Sequence, residues 1–410
     1  ADSLIVGNFL GSNALAAVSS SGSLIFLLIG FLSGIAIGAG VVISRYFGAR
    51  DDENVQIAIH TTAAFGLVAG VLMTLVGVLL SPQILVWMGT PDAVMDESLT
   101  YLQIYFMGSL GSVMYNIFVG TLQAMGDSKH PLYYLIASSI VNVVLDILFI
   151  AVFHAGVGGA ALATIISQFL SAFLCMFRLM KNKGCEKLYL RKIRFNWEML
   201  KQIVRFGLPS GIQNSIIALA NVVVQSNINS FGEMAMAGVG AFSKIEGFGF
   251  LPITSFTMAM TTFISQNLGA KQHERAKQGA RFGIFMTALL AELIGVVVFI
   301  FAPQLIAAFD SNPAVVEIGV EKARTSALFF FLLAYSHAVS AILRGAGKAV
   351  VPMMVMMIFW CVVRVAFLMI TVPLTHSIQM LYWVYPLTWG LSSLAFLWYY
   401  KKADWLHALD

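Results

Sequence analysis

Long apolar stretches alternate with short polar joints along the whole chain. Uncharged runs such as 61–86 and 132–145 are long enough, or nearly so, to cross a bilayer, because about 20 apolar residues span the hydrocarbon core as a helix. The pattern predicts helices over 1–10, 13–44, 55–80, 94–122, 131–153, 157–180, 198–227, 234–266, 276–302, 314–343, 350–373 and 377–400. These are twelve spans, the first of them cut short at Ala1. The predicted fold class is an all-α polytopic membrane protein with two six-helix lobes.

The two halves align at one fixed shift of 221 residues, without a gap. Gly11, Ala14, Ala16 and Val18 fall on Gly232, Ala235, Ala237 and Val239. Ser44, Gly48 and Ala49 fall on Ser265, Gly269 and Ala270, and Glu53 on Glu274. Pro82 and Gln83 fall on Pro303 and Gln304, and Gly126 and Pro131 on Gly347 and Pro352. Six spans per half is an even number, so the halves share one orientation, related by a pseudo-twofold along the membrane normal. That is the parallel-repeat plan of many secondary transporters, with a substrate site between the halves. The expected domains are 1–181, a connector 182–197, and 198–402. The same symmetry places the start of the first half roughly 24 residues before Ala1, so the opening ADSLIVGNFLG reads as the interior of a helix and Asp2 as an interior residue.

Charge sets the sides. Only 11% of residues are charged and 59% are hydrophobic, against about 25% charged in soluble domains, which excludes a soluble globular class. Twenty of the 24 Lys and Arg residues follow even-numbered spans, among them Arg45, Arg50, Lys129, Lys271, Arg275, Arg344, Lys348, Lys401 and Lys402. Nine crowd positions 178–205, the one long basic connector. The positive-inside rule then puts even joints and both termini in the cytoplasm, and localisation in the cytoplasmic membrane. The basic connector reads as a plain positive-inside loop, with lipid headgroup binding as the sharper alternative. Cys175, Cys185 and Cys361 show no disulfide pattern and read as small buried hydrophobes.

Polar residues at membrane depth are costly and mark function or helix pairing. In the first half Asp2 leads span one, and Asp146 sits midway in span five with Asn142 and Ser138 on the same helix face. In span six, Thr164 and Gln168 form a second i, i+4 polar pair. Two chemistries fit these oxygens. A carboxylate withdrawn from water is easier to protonate and can load a proton; clustered oxygens can also replace the water shell of Na⁺. A structural hydrogen-bond network between helices is the plainer alternative. In the second half Gln213, Asn214, Asn221 and Gln225 lie on span seven, and with Gln168 they are the candidates to line a substrate cavity. Lys244, Glu246, Glu292 and Arg364 are further charges inside spans, read as structural pairs; Arg364 is expected to pair with a carboxylate, Glu246 or Glu292, or with helix-end carbonyls.

Several chemistries are missing. RGAGKAV lacks the spacing of a phosphate-binding loop, and KQHERAK lacks the second His of a zinc protease motif. No nucleophile–base arrangement stands out, so no enzyme activity and no cofactor are expected.

The motifs together resemble the multidrug and toxic compound extrusion (MATE) family, and its DinF-like branch best. The resemblance covers essentially the whole chain. It rests on ADSLIVGNFLGSNALAAV, on SRYFGAR and SQNLGAK, on LQAMGDSKHP and LRGAGKAVVP, and on NVVLDILFI, GVGGAALATIIS and FGLPSGIQ. It implies two six-helix lobes around a central cavity, working by alternating access, that export cationic or amphipathic organic compounds in exchange for H⁺ or Na⁺. It also implies a coupling role for Asp2, Asn142, Asp146 and Thr164, which would hold the ion. The stretch 209–226 holds no carboxylate, unlike the other branch with its acid in span seven. The expected partners are a small organic substrate and membrane lipid, with no nucleic acid, and the chain is expected to act as a monomer. Two rival readings fit the sequence. A lipid-linked precursor flippase would need a wide basic cavity, which the sparse charge inside the spans disfavours; a non-transporting scaffold or receptor would not need two embedded carboxylates.

Overall fold

A lipid environment leaves backbone N–H and C=O groups no partner but each other, so spanning segments close their hydrogen bonds within a helix. The computed structural model follows that rule. It describes residues 2–408, without the side chains of residues 2–4, 7, 12, 13, 15, 16, 19–24 and 26. Among the described residues every regular element is helical. In chain order they are α1 (Asp2–Leu10), α2 (Ser12–Gly48), α3 (Asp52–Trp87), α4 (Asp92–Met107), α5 (Ser109–Ala124), α6 (Lys129–Asp146) and α7 (Gly156–Lys181). Then come α8 (Trp197–Asn229), α9 (Glu233–Gly269), α10 (His273–Ala307), α11 (Pro313–Ala327), α12 (Phe330–Gly345), α13 (Val350–Met356), α14 (Arg364–Thr375) and α15 (Gln379–Lys402). Two π-helical stretches, Ile147–Val152 and Met357–Val363, continue α6 and join α13 to α14.

Among the described residues eight helical stretches are long and apolar enough to cross a membrane, and two bent pairs bring the number to ten. The other two predicted spans are α1, nine residues long, and α15. Trp and Tyr lower the hydropathy of α15 (YWVYPLTWG) while suiting it to the membrane interface. Several helices outrun their predicted ends. The joints expected at 81–93 and 303–313 begin later, because α3 and α10 continue through Pro82 and Pro303; membrane helices tolerate such breaks where neighbours re-satisfy the freed groups.

The spans predicted over 94–122 and 314–343 are each broken, by 47° between α4 and α5 and by 54° between α11 and α12. The break has a different cause in each half. At Gly108 a Cβ would strike the Ile165 side chain, so the bare backbone lets α7 approach. At the equivalent break after Phe329, Glu292 Oε2 accepts the Phe331 amide at 3.3 Å and satisfies one of the N–H groups that a new helix start exposes. Glu292 is thus placed at this helix start rather than beside Arg364.

The sequence repeat is also a backbone repeat. The bounds of α2 and α9, and of α5 and α12, coincide under the 221 shift. Left-handed residues recur at the same spacing: Gly11 (φ 91) and Gly232 (φ 95), Gly126 (φ 91) and Gly347 (φ 77), Arg50 (φ 56) and Lys271 (φ 55). Arg50 and Lys271 close α2 and α9 with one turn geometry. The Asp51 amide bonds Tyr46 O and the Gln272 amide bonds Asn267 O, capping carbonyls the helix ends would leave open.

By packing, the chain divides into Ala1–Gly211 and Ile212–Asp410, a division that falls inside α8. Within the first unit the early turns of α8 lie on α2 through facing glycines. A Cβ on Gly38 would strike the Gly207 backbone, and one on Gly34 the Gly211 backbone. Small residues four apart on both helices permit this approach, and dispersion then holds it. The connector is tied to α3. Gln56 Nε2 donates to Cys185 O (2.6 Å) and Lys187 O (2.9 Å), and the Tyr189 amide donates to His60 Nε2 (3.0 Å). At the joint between α5 and α6, Asp127 accepts from His130 Nδ1 (2.8 Å) and Arg178 Nε (3.2 Å). Burial pushes the Asp127 carboxyl up, but the bonds from His130 and Arg178 outweigh it and hold the group below its ordinary value. The second unit has its own cores, one around Phe242, Ile264, Ile342 and Phe396 and one around Val224, Leu368 and Tyr382.

Two predictions come from this packing. Gly207→Leu should melt about 10 °C lower than the parent in detergent, or fail to purify as a single species. Gly240→Ala, where a Cβ meets nothing within 4 Å, should melt no lower than the parent. Asp127→Asn should also lower the melting temperature at pH 7. Because the folded Asp127 value is depressed, its contribution is complete above the unfolded value near pH 4 and is lost as pH falls through the folded one. Melting scans at pH 7 and pH 3 should therefore show the gap between Asp127→Asn and the parent closing in acid.

Candidate functional site

Asp146 is fully buried and is the last residue of α6 before the π-helical stretch. At that switch the Ile147 amide is shared between Val143 O and Val144 O. Widened turns of this kind recur at functional sites because they disturb the regular ladder. One turn and two turns earlier stand Asn142, partly buried, and Ser138, buried. Ser138 Oγ donates to Leu135 O (3.0 Å). The Asn142 side-chain nitrogen is buried without a hydrogen-bond partner among the described residues.

The neighbouring helix completes this side. α7 packs along α6 and the π stretch. Its Thr164 donates Oγ1–H to Ala160 O at 3.0 Å. A hydroxyl whose proton is committed to its own helix can still accept a hydrogen bond or bind a cation. Gln168, one turn on, is partly buried. α1 packs against α2, α6, the π stretch and α7, and its Val6 shares a core with Ile150, Val157 and Ala160. The structure thus puts the backbone of the Asp2 helix beside the helices of Asp146 and Thr164; the Asp2 side chain lies outside the described residues. Among the described residues no three His, Cys, Asp or Glu side chains converge as a metal site. An ion held here would rely on carboxylate together with neutral oxygens.

The span-seven candidates separate by burial. Gln213 is buried, and its Nε2 lies 2.7 Å from Met356 Sδ. Asn214 is partly buried, whereas Asn221 and Gln225 are exposed, with Gln225 bonded to Asn229 Oδ1 at 2.8 Å.

Three charged side chains of the second unit, Arg364, Lys322 and Glu246, act on one another. Arg364, at the end of the second π-helical stretch, is buried and donates from Nε (3.3 Å) and Nη2 (2.8 Å) to Thr388 Oγ1 on α15. Lys322 on α11 is also buried. The two cations share the Tyr385 ring, with Lys322 Nζ 3.8 Å and Arg364 Cζ 4.5 Å from its centroid. Glu246 on α9 acts electrostatically on both. Such contacts to a ring contribute about 2 kcal/mol when desolvated, below the several kcal/mol that burying each ion costs. The cost of burying these two basic groups is therefore only partly offset by the ring. Lys244, by contrast, is exposed and lies 5.7 Å from the Phe309 centroid.

The sequence suggests a carboxylate or helix-end carbonyls for Arg364, whose hydrogen bonds in fact go to the Thr388 hydroxyl, and it does not single out Lys322. A signal was present: Lys244, Lys322, Arg324 and Arg364 are the four basic residues outside the joints that follow even spans. The exposed Arg324 is held on Phe299 O (3.4 Å), which leaves Lys322 and Arg364 as the buried pair.

A family model described as MatE matches residues 1–148 and 209–370. The chain is 30% identical to the probable multidrug resistance protein YoeA of Bacillus subtilis (strain 168), over 97% of this chain and 88% of that protein. It is 26% identical to the probable multidrug resistance protein NorM of Thermotoga maritima, over 90% of this chain and 81% of that one. A crystal structure of MATE in the bent conformation shares the fold, with a TM-score of 0.92 at 24% identity, covering 98% of this chain and 90% of the other. The residues that suggested the resemblance, the all-helical repeat and these matches agree: the chain is a multi-pass membrane transporter, not an enzyme, and belongs to the MATE family of multidrug efflux proteins.

Proposed function

We propose that this protein exports organic compounds, cationic or amphipathic, in exchange for H⁺ or Na⁺. The coupling ion would load at Asp2 and Asp146, with Asn142 and Thr164 as neutral partners. The observation that carries this reading is Asp146, a carboxylate with no solvent exposure inside a membrane helix, where holding a charge is costly. Binding H⁺ or Na⁺ neutralises it. The loaded and empty forms then favour different packings of the same helices, and a ligand shifts that equilibrium by its differential affinity for the two. Asp2 belongs to the site in this proposal because α1 packs on α6 and α7. The names of the relatives, multidrug resistance proteins, support organic compounds as cargo. The distribution of Lys and Arg supports cytoplasmic termini and a cytoplasmic-membrane location. The lobes would then be 1–181 and 198–402, joined by 182–197, in a chain acting as a monomer.

The test is efflux of a cationic dye such as ethidium from proteoliposomes, with pH and Na⁺ gradients imposed separately. The parent should respond to one of the two gradients. Asp146→Asn and Asp2→Asn should each lose gradient-driven export by about tenfold or more, and Thr164→Ala should lose less. Equal export by folded Asp146→Asn and parent protein would overturn the assignment. Translocation of a fluorescent lipid without dye efflux would instead support a flippase.

A further inference from the structure

We propose that the second unit carries a subsite for an anionic group, a carboxylate or phosphate on an organic solute, formed by Lys322 and Arg364. Both side chains are more than nine-tenths buried, at 4% and 3% exposure. Lys322 donates no hydrogen bond and makes no direct ion pair among the described residues. Arg364 commits Nε and Nη2 to Thr388, leaving Nη1 without a partner among the described residues. A buried ammonium has three donors and no acceptor capacity, and buried charges are ordinarily paired and hydrogen-bonded. Glu246 is the one carboxylate that acts on both basic groups, and it makes no direct ion pair with either among the described residues. The donors left over are of the kind that bind carboxylate and phosphate oxygens. The partly buried Tyr385 lies on the Lys322 ammonium and offers aromatic surface to the apolar part of such a solute. The fitting class is an amphipathic aromatic anion, beside the cations that the transport reading already admits.

The inference deepens that reading, but its test is equilibrium binding without any ion gradient, so it can fail while coupling stands, and coupling can fail while it stands. The full chain in phosphatidylcholine nanodiscs is titrated against fluorescein, a carboxylated aromatic dye, and against its cationic analogue rhodamine 123, by fluorescence anisotropy. Fluorescein should bind, and Lys322→Gln and Arg364→Gln should each weaken it by about tenfold, while Lys322→Arg retains most of the affinity. Glu246→Gln should tighten fluorescein by roughly fivefold or more, because it removes the one negative charge opposing the ligand. A purely structural ion cluster predicts the opposite, since removing Glu246 would only loosen it. A second arm adds phosphatidylglycerol to the nanodiscs. Displacement of fluorescein there assigns the subsite to a lipid headgroup as the source of the anion, and no displacement assigns it to a soluble one. Unchanged or weaker fluorescein binding in folded Glu246→Gln would overturn the proposal, as would binding of rhodamine 123 alone. If Lys322→Gln does not fold, the Glu246→Gln and two-dye comparisons decide it.

Discussion

Inside a bilayer no water is available to complete a broken hydrogen bond, and this absence governs both the shape and the chemistry of the molecule. It makes every described regular element helical, and it requires a replacement wherever a helix is interrupted. Several interruptions have an identifiable cause or substitute. Glu292 receives the amide exposed at the start of α12. A glycine at position 108 admits a neighbouring helix. The switch into each π-helical stretch shares an amide between two carbonyls, Ile147 in the first half and Met357 in the second.

The same medium makes charge expensive, so the few buried ionisable side chains define where chemistry can occur. Here the two halves part company. Their backbones repeat at a shift of 221, with the same bounds for α2 and α9 and the same left-handed turns. Under that shift, however, Asp146 falls on Phe367, and Arg364 falls on Val143. The first half buries an acid at the edge of its π stretch, and the second buries a base at the edge of its own. A duplicated scaffold has kept its folding rules and changed the sign of its charge. That division allows one lobe to handle a cation and the other to meet an anionic group, as proposed above.

Much of the fold was legible because hydrophobic runs of membrane length carry a strong signal, and the fixed shift made one half a check on the other. The breaks were less legible. The α4–α5 and α11–α12 bends leave no common residue signature, with Gly108 at one and Phe329 at the equivalent place. The π stretches look apolar and regular in sequence. At the candidate site, Asp146, Asn142 and Thr164 were readable as polar residues in apolar helices, since helical spacing alone puts Asn142 and Asp146 on one face. Lys322 was not readable in the same way. PAVVEIGVEKARTSA is polar enough to pass for a membrane-surface helix, and only tertiary packing reveals that this lysine is the buried one, seated on Tyr385. Glu292 misled in the opposite direction, because its partner is a backbone amide 39 residues away, which no charge pattern can show.

The central claim is that organic solute and cation exchange through one acid-bearing site. Its most direct test reverses the usual assay. Proteoliposomes are given a solute gradient and no ion gradient, and internal pH or Na⁺ is followed as the solute runs down. The account predicts ion movement opposite to the solute in the parent, and solute movement without it, or no movement at all, in Asp146→Asn. Downhill solute flux in the parent with no counter-movement of either ion would contradict it.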